Sequence, residues 1–367
     1  GALLVRERWA KALGAESAGF VSSPRLSHFD EPWAPRAVSV VPAGTVLANA
    51  RFAPALTKAP AVDRWVAGGQ LAAVRLTRDV PATALHADGV RLEDFASPDG
   101  ATADIAGWWL EAPWDVIRHL PAMLTHDVPL LAKVYKAKVM GGAAVRGQHK
   151  VYVEEGAEVE PYVLLDAHAG PILIRRGAVV QAFTRLVGPA VVGIDSTVFG
   201  DRIATVSIGE RCKVHGEVST TVFIGHANKA HDGFVGHSVL GRWVNLGAGT
   251  TTSNLKNTYG TVQCWTPTGL KDTGLQFLGT LCGDHVKTGI GLQLTTGSVL
   301  GAGANLFDAM PPRVVAPFSW GSAAPYDVFA LEKFLSVATR AMARRDVPLS
   351  DAARAMLAEA HAARWSV

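Results

Sequence analysis

One stretch of this chain concentrates side chains that can do chemistry: Ile224-Gly225-His226-Ala227-Asn228-Lys229-Ala230-His231-Asp232-Gly233-Phe234-Val235-Gly236-His237. Downstream follow Asn245 and the run Ser253-Asn254-Leu255-Lys256-Asn257. Imidazole exchanges a proton near neutral pH and is also the commonest metal ligand, so His226 and His231 can serve either chemistry. The amides of Asn228, Asn245 and Asn254 and the ammonium groups of Lys229 and Lys256 can orient or hold polar and anionic ligands. Each has a plainer reading as well: His231 as an exposed turn residue, Asn254 as a turn former, Lys229 as a solvated side chain.

These residues lie within a region of marked periodicity that begins at Val151. Aliphatics recur every sixth position at Val153, Val159 and Leu165, again at Ile174, Val180, Leu186, Val192 and Val198, and after register slips at Ile208 and Val214, Leu240 and Leu246, Leu300 and Leu306. Glycine often follows directly, as in Val192-Gly193, Ile208-Gly209 and Leu246-Gly247. A six-residue clock is the signature of a parallel β-helix whose aliphatics point into a narrow prism while small residues turn the corners. A Gly-rich β-sandwich would alternate with period two instead. The sequence therefore predicts a mainly β chain, with a left-handed parallel β-helix over residues 151–325.

The flanks differ in texture. Residues 1–106 mix a helix-like Arg6 to Leu13 with short apolar runs broken by Pro and Gly, the pattern of a small α/β unit. Trp108, Trp109, Trp114, Ile117, Leu120, Leu124 and Leu130 follow at mostly helical spacing, predicting a helical connector over residues 107–150 whose aromatics are packing rather than platform. After Tyr326 an apolar stripe of Val328, Leu331, Phe334, Leu335 and Ala338 and a second Ala-rich segment predict a helical tail over residues 326–367, placed to cap the stack or meet a neighbouring subunit. The chain opens without methionine on an apolar run, so an element that begins upstream is expected.

Bulk composition narrows the classes. The 367 residues are 49% hydrophobic and 18% charged, which is globular rather than disordered, and a net charge of +3 without long basic runs gives no case for nucleic acid or an anionic membrane. Cys212, Cys264 and Cys282 have no CxxC spacing, so neither a disulfide framework nor a thiolate metal site is indicated, and a cytoplasmic setting is expected. No apolar stretch reaches the roughly 18 residues that a membrane span needs.

The polar segment is similar to a known family. Lys229-Ala230-His231, Phe234-Val235-Gly236, Val244-Asn245-Leu246-Gly247-Ala248-Gly249-Thr250 and Asn254 resemble the acetyltransferase half of the bifunctional glucosamine-1-phosphate acetyltransferase/N-acetylglucosamine-1-phosphate uridyltransferase, GlmU. Over nearly its full length the chain more closely resembles a divergent bacterial GlmU-like branch of sugar nucleotidyltransferases, through Pro113-Trp114-Asp115, Asn228 to Gly233, Ser253 to Asn257 and Phe318-Ser319-Trp320-Gly321. The resemblance implies acetyl transfer from acetyl-CoA to an amino group. His231 would be general base, with Asn254 beside the reacting amine or thioester carbonyl, and Asn228, Lys229, Phe234, Asn245 and Lys256 would form the substrate-binding set. It implies a homotrimer and a small-molecule partner, a sugar phosphate or nucleotide sugar.

Departures limit the carry-over. The family's sugar-phosphate lysine falls on Ser219, Thr220 or Thr221, its arginine falls among apolar residues after Gly188-Pro189, and an insertion from Tyr259 to Gln276 lengthens the loop beside the pocket. In the front half, nucleotidyl transfer would need magnesium, a nucleoside triphosphate and a Gly-rich loop with a basic residue after it, and Ala67-Gly68-Gly69 lacks that continuation. Two other readings stay open. His226 and His231 have the spacing of paired zinc ligands in γ-class carbonic anhydrases, and the chain could be a non-catalytic sugar-nucleotide-binding protein.

Overall fold

The computed structural model describes residues 1–21, 30–31, 34–86 and 90–365. Two compact units divide the chain: one built on Ala112–Pro348, the other on Leu3–Glu111 joined by Leu349–Ala363.

The larger unit is a β-solenoid of about ten turns. Three columns of short parallel strands run its length. The first climbs through Val151–Val153, Ile172–Ile174, Ala190–Val192, the later parts of Asp201–Glu210 and Val218–Gly225, Val239–Leu240, Thr280–Cys282, Ser298–Leu300 and Val314–Val315. The second holds Glu158–Val159, Val179–Val180, Thr197–Val198, Lys213–Val214 and Asn228–Lys229, and continues through Asn245 to Lys287–Thr288 and Asn305–Leu306. The third begins with Val145–Arg146 paired to Leu164–Asp166, ahead of the point where the aliphatic clock is first readable, and reaches Val235–Gly236.

The clock residues account for the prism. Leu165, Ile174, Val180, Leu186, Val192, Val198, Ile208, Val214, Leu240, Leu246, Leu300 and Leu306 all belong to one buried cluster. Each such burial contributes roughly 1.5–3 kcal/mol, and because every coil covers the apolar row of the next, that contribution recurs along the stack. Strand pairing also locates the insertion. Ile172 pairs with Ala190, eighteen residues on, whereas Val239 pairs with Leu281, forty-two residues on. The excess is a loop that carries an antiparallel hairpin, Gln263–Thr266 with Gly269–Asp272.

Helices border the solenoid. Leu120–Val134 buries Leu120, Met123, Leu124, Val128 and Leu131 against the early coils, and Pro121 sits harmlessly in its first turn, where no backbone donor is needed. The tail helix Leu331–Ala343 buries Phe334, Leu335, Ala338 and Met342, whereas Val328, expected in the same stripe, is exposed in the short strand Asp327–Val328, which pairs with Ser319–Gly321 and starts the tail as a strand rather than a helix. The second tail helix, Asp351–Ala362, is capped by Ser350, whose Oγ accepts from the Ala353 amide, and belongs to the smaller unit.

The smaller unit is more β than its texture suggests. Among the described residues it has the helix Val5–Leu13 near its start and the tail helix Asp351–Ala362, two short 3-10 turns, and strands that are mostly antiparallel. Gly68 and Gly69, at φ +58° and +80°, form the tight turn between Arg64–Ala67 and Gln70–Arg75, a conformation that glycine adopts without steric cost. This explains the Gly-Gly pair as hairpin chemistry. Trp108 and Trp109, read from sequence as helical, lie in the strand Gly107–Trp109 paired with Phe52–Pro54, because strand pairing and packing override spacing in so short a segment. The Arg8 side chain is fully buried; its Nε donates to the Pro54 carbonyl at 2.7 Å and its guanidinium lies 5.2 Å from the Trp108 ring.

Candidate functional site

The corner between the second and third columns places His231. Here the chain must reverse within a few residues, and Gly216, Gly233, Gly249 and Gly291 supply left-handed conformations at successive levels. Beside them lies a groove of about 610 Å³ lined by His215, Ala230, His231, Asp232, Ala248, Gly249, Ile290 and Gly291. His231 and Asp232 are exposed on it. Lys229 is only 2% exposed, and its Nζ donates to the His231 carbonyl. Burial pulls the Lys229 ammonium down to about 8, against the opposing pull of Asp232 and Asp201. His215 stands between those carboxylates, Nε2 at 3.5 Å from Asp201 and Nδ1 at 3.3 Å from Asp232. Asp201, His215 and Asp232 are close enough together to hold a metal ion.

A second group gathers where the inserted loop leaves the solenoid. The Asn254 amide nitrogen is 2.9 Å from His237 Nδ1, and His237 stacks on Phe277 at 5.2 Å between ring centroids. An amide nitrogen only donates, so His237 Nδ1 accepts and the ring's proton sits on Nε2. Burial pushes His237 down to about 4, which keeps it neutral. Phe234 and Asn254 both close over Gly236: a Cβ there would lie 2.4 Å from the Phe234 ring and 2.6 Å from the Asn254 amide nitrogen. Lys256, just ahead of the inserted loop, braces it with Nζ donating to the Thr261 carbonyl at 3.1 Å.

On the flat second face, Asn228 Nδ2 donates to Asn245 Oδ1 at 2.9 Å, a side-chain rung between successive coils. His226 lies at a different corner, between the first and second columns. It is 5% exposed and stacks on Trp243 at 4.1 Å; His285 lies 6.2 Å beyond Trp243 and meets the tail residue Phe334 edge-on at 5.7 Å. Burial, with Arg242 and other cations adding to it, takes His226 down to about 4; burial with Lys287 takes His285 to about 3. Within this chain His226 and His231 therefore do not converge, since five residues carry the backbone from one corner of the coil to the next.

Of the residues singled out by sequence, Lys229 and His231 come together at the groove, Phe234 and Asn254 come together over Gly236, and Asn228 pairs with Asn245. Asp201 and His215 were not singled out by sequence, and His237, though part of the polar stretch, was given no role there. Their partners lie on neighbouring coils, about one turn of the stack away, where local spacing cannot reveal them.

Residues 1–135 match a family model described as sugar nucleotidyl transferase. A 111-residue stretch, 28% of this chain, is 35% identical to the bifunctional protein GlmU of Bartonella quintana (strain Toulouse) and covers 23% of that protein. The match thus spans less than a quarter of that relative's length.

Proposed function

We propose that this chain, whose residues 1–135 match a sugar nucleotidyl transferase model and which is similar over a short stretch to a GlmU, is an acetyl-CoA-dependent N-acetyltransferase acting on an amino-sugar phosphate or a nucleotide-linked amino sugar. The observation that carries this reading is the His231 imidazole, exposed on a groove at the solenoid corner with its backbone anchored from behind by Lys229.

In this reading the acceptor amine attacks the acetyl carbonyl of the thioester. The C–N bond forms, the C–S bond breaks and the sulfur leaves as the CoA thiolate; His231 takes the proton that the amine sheds and returns it to the thiolate, which departs as the CoA thiol. Asn254 and Phe234 bound the acceptor where the inserted loop departs, and Asn228 and Asn245 offer hydroxyl-binding amides on the adjoining face. The protein works as a cytoplasmic homotrimer. The front segment supports a second activity, transfer of a nucleotidyl group to a sugar 1-phosphate with magnesium.

The test is release of CoA thiol from acetyl-CoA over a panel of amino-sugar phosphates and nucleotide-linked amino sugars. Turnover with at least one acceptor, lost in His231→Ala, is expected. A full panel without turnover would overturn the reading and favour a non-catalytic binder. Stoichiometric zinc lost on His226→Ala would favour the metal reading instead.

A further inference from the structure

One column of the solenoid departs from its own pattern. The inward positions of the second column run Val198, Val214, Lys229 and then Leu246 in register, so a lysine occupies a place that is aliphatic on the coils to either side. Val198, Val214 and Leu246 are 0–1% exposed and Lys229 is 2% exposed. Placing an ammonium there costs desolvation that a leucine would avoid. The side chain runs from the interior toward the corner below Gly216, where a Cβ would lie 2.9 Å from Nζ, and ends on the His231 carbonyl with Asp232 and Asp201 near enough to act on its charge. Its bonding capacity is thus directed at the backbone of the turn that presents the imidazole.

We propose that Lys229 is a positioning residue rather than a substrate contact: its buried ammonium fixes the turn at His231 and Asp232 so that the imidazole projects into the groove. The proposal rests on the reading of that groove as the acetyl-transfer site. A charge-assisted hydrogen bond to a backbone carbonyl holds a turn more firmly than a neutral one. Misplacing a reacting group by about 1 Å costs on the order of 100-fold in rate.

The test uses Lys229→Met and Lys229→Gln in the full chain. Methionine suits an aliphatic column, so its Tm should equal or exceed that of the parent. Its kcat should fall roughly 10- to 100-fold with KM for acetyl-CoA and acceptor unchanged, and glutamine, which retains a donor, should recover part of the rate. A raised acceptor KM with kcat preserved would overturn the proposal in favour of direct contact. A lowered Tm with full kcat per folded molecule would overturn it in favour of a purely structural role. A readout free of turnover separates this from the wider reading: Lys229→Met should shift the His231 ring signals in NMR, assigned through their loss in His231→Ala, while those of His226 and His285 stay put. Unmoved His231 signals refute positioning. Shifted signals in a protein that acetylates nothing uphold positioning and refute acetyl transfer.

Discussion

Acidification tests the buried corner most quantitatively. His226 and His285 flank Trp243 inside the fold, and burial holds them down to about 4 and about 3, whereas an unfolded histidine titrates near 6.5. A depressed folded value means that the unfolded chain binds protons more readily. The stability tied to the neutral rings is therefore fully present above about pH 6.5 and is lost as pH falls toward the folded values. At about pH 5 each ring lies about 1.5 units below its unfolded value and still above its folded one, so each costs about 2 kcal/mol and the two together about 4 kcal/mol. The assay is urea unfolding followed by circular dichroism at about pH 7.5 and about pH 5, comparing the parent with a double variant, His226→Phe with His285→Phe, that keeps the aromatic stack but cannot titrate. The parent should lose about 4 kcal/mol more than the double variant between the two conditions, because His237, also held to about 4 by burial, titrates alike in both. An equal loss in both proteins, or a loss under about 1 kcal/mol in the parent, would refute the assignment of acid sensitivity to these rings.

Other consequences are as direct. Gly236→Ala introduces a Cβ 2.4 Å from the Phe234 ring and 2.6 Å from the Asn254 amide, so overpacking should cost about 1–3 kcal/mol in denaturant melts and should weaken acceptor binding, read as a raised KM. Phe223→Ala empties a site 1% exposed in the solenoid core and should cost about 3–5 kcal/mol, with a visible drop in Tm. Lys256→Met removes the brace to Thr261 and should leave Tm nearly unchanged, while limited proteolysis cuts the Tyr259–Gln276 loop faster. The segment matching sugar nucleotidyl transferases should release pyrophosphate when the chain is incubated with UTP or dTTP, a sugar 1-phosphate and magnesium; no release would dismiss that activity.

The solenoid was legible because its stabilising interaction repeats at fixed spacing: the aliphatics of the six-residue clock, from Leu165 to Leu306, are the very residues buried in the prism. The insertion was legible only as a departure from the resembled family, and pairing of Val239 with Leu281 locates it in the stack. Contacts between coils were not legible. The approach of Asn254 to His237 and the placement of His215 between Asp201 and Asp232 depend on which residues stack one level apart, and the coil length varies enough to hide that register. Lys229 was visible as a polar residue but not as an inward one, since the repeat slips just before it. In the smaller unit, Trp108 and Trp109 show the limit of spacing arguments: a three-residue strand carries no period, and its partner at Phe52–Pro54 is remote in sequence.

The central claim is that acetyl transfer occurs at the second-to-third corner with His231 as base. Its most direct measurement is a crystal structure of the chain with acetyl-CoA bound. The pantetheine arm should lie along the groove lined by His215, Asp232 and Ile290, with the thioester carbonyl beside the His231 imidazole. Acetyl-CoA seated on another face of the solenoid, with its thioester out of reach of His231, would contradict it.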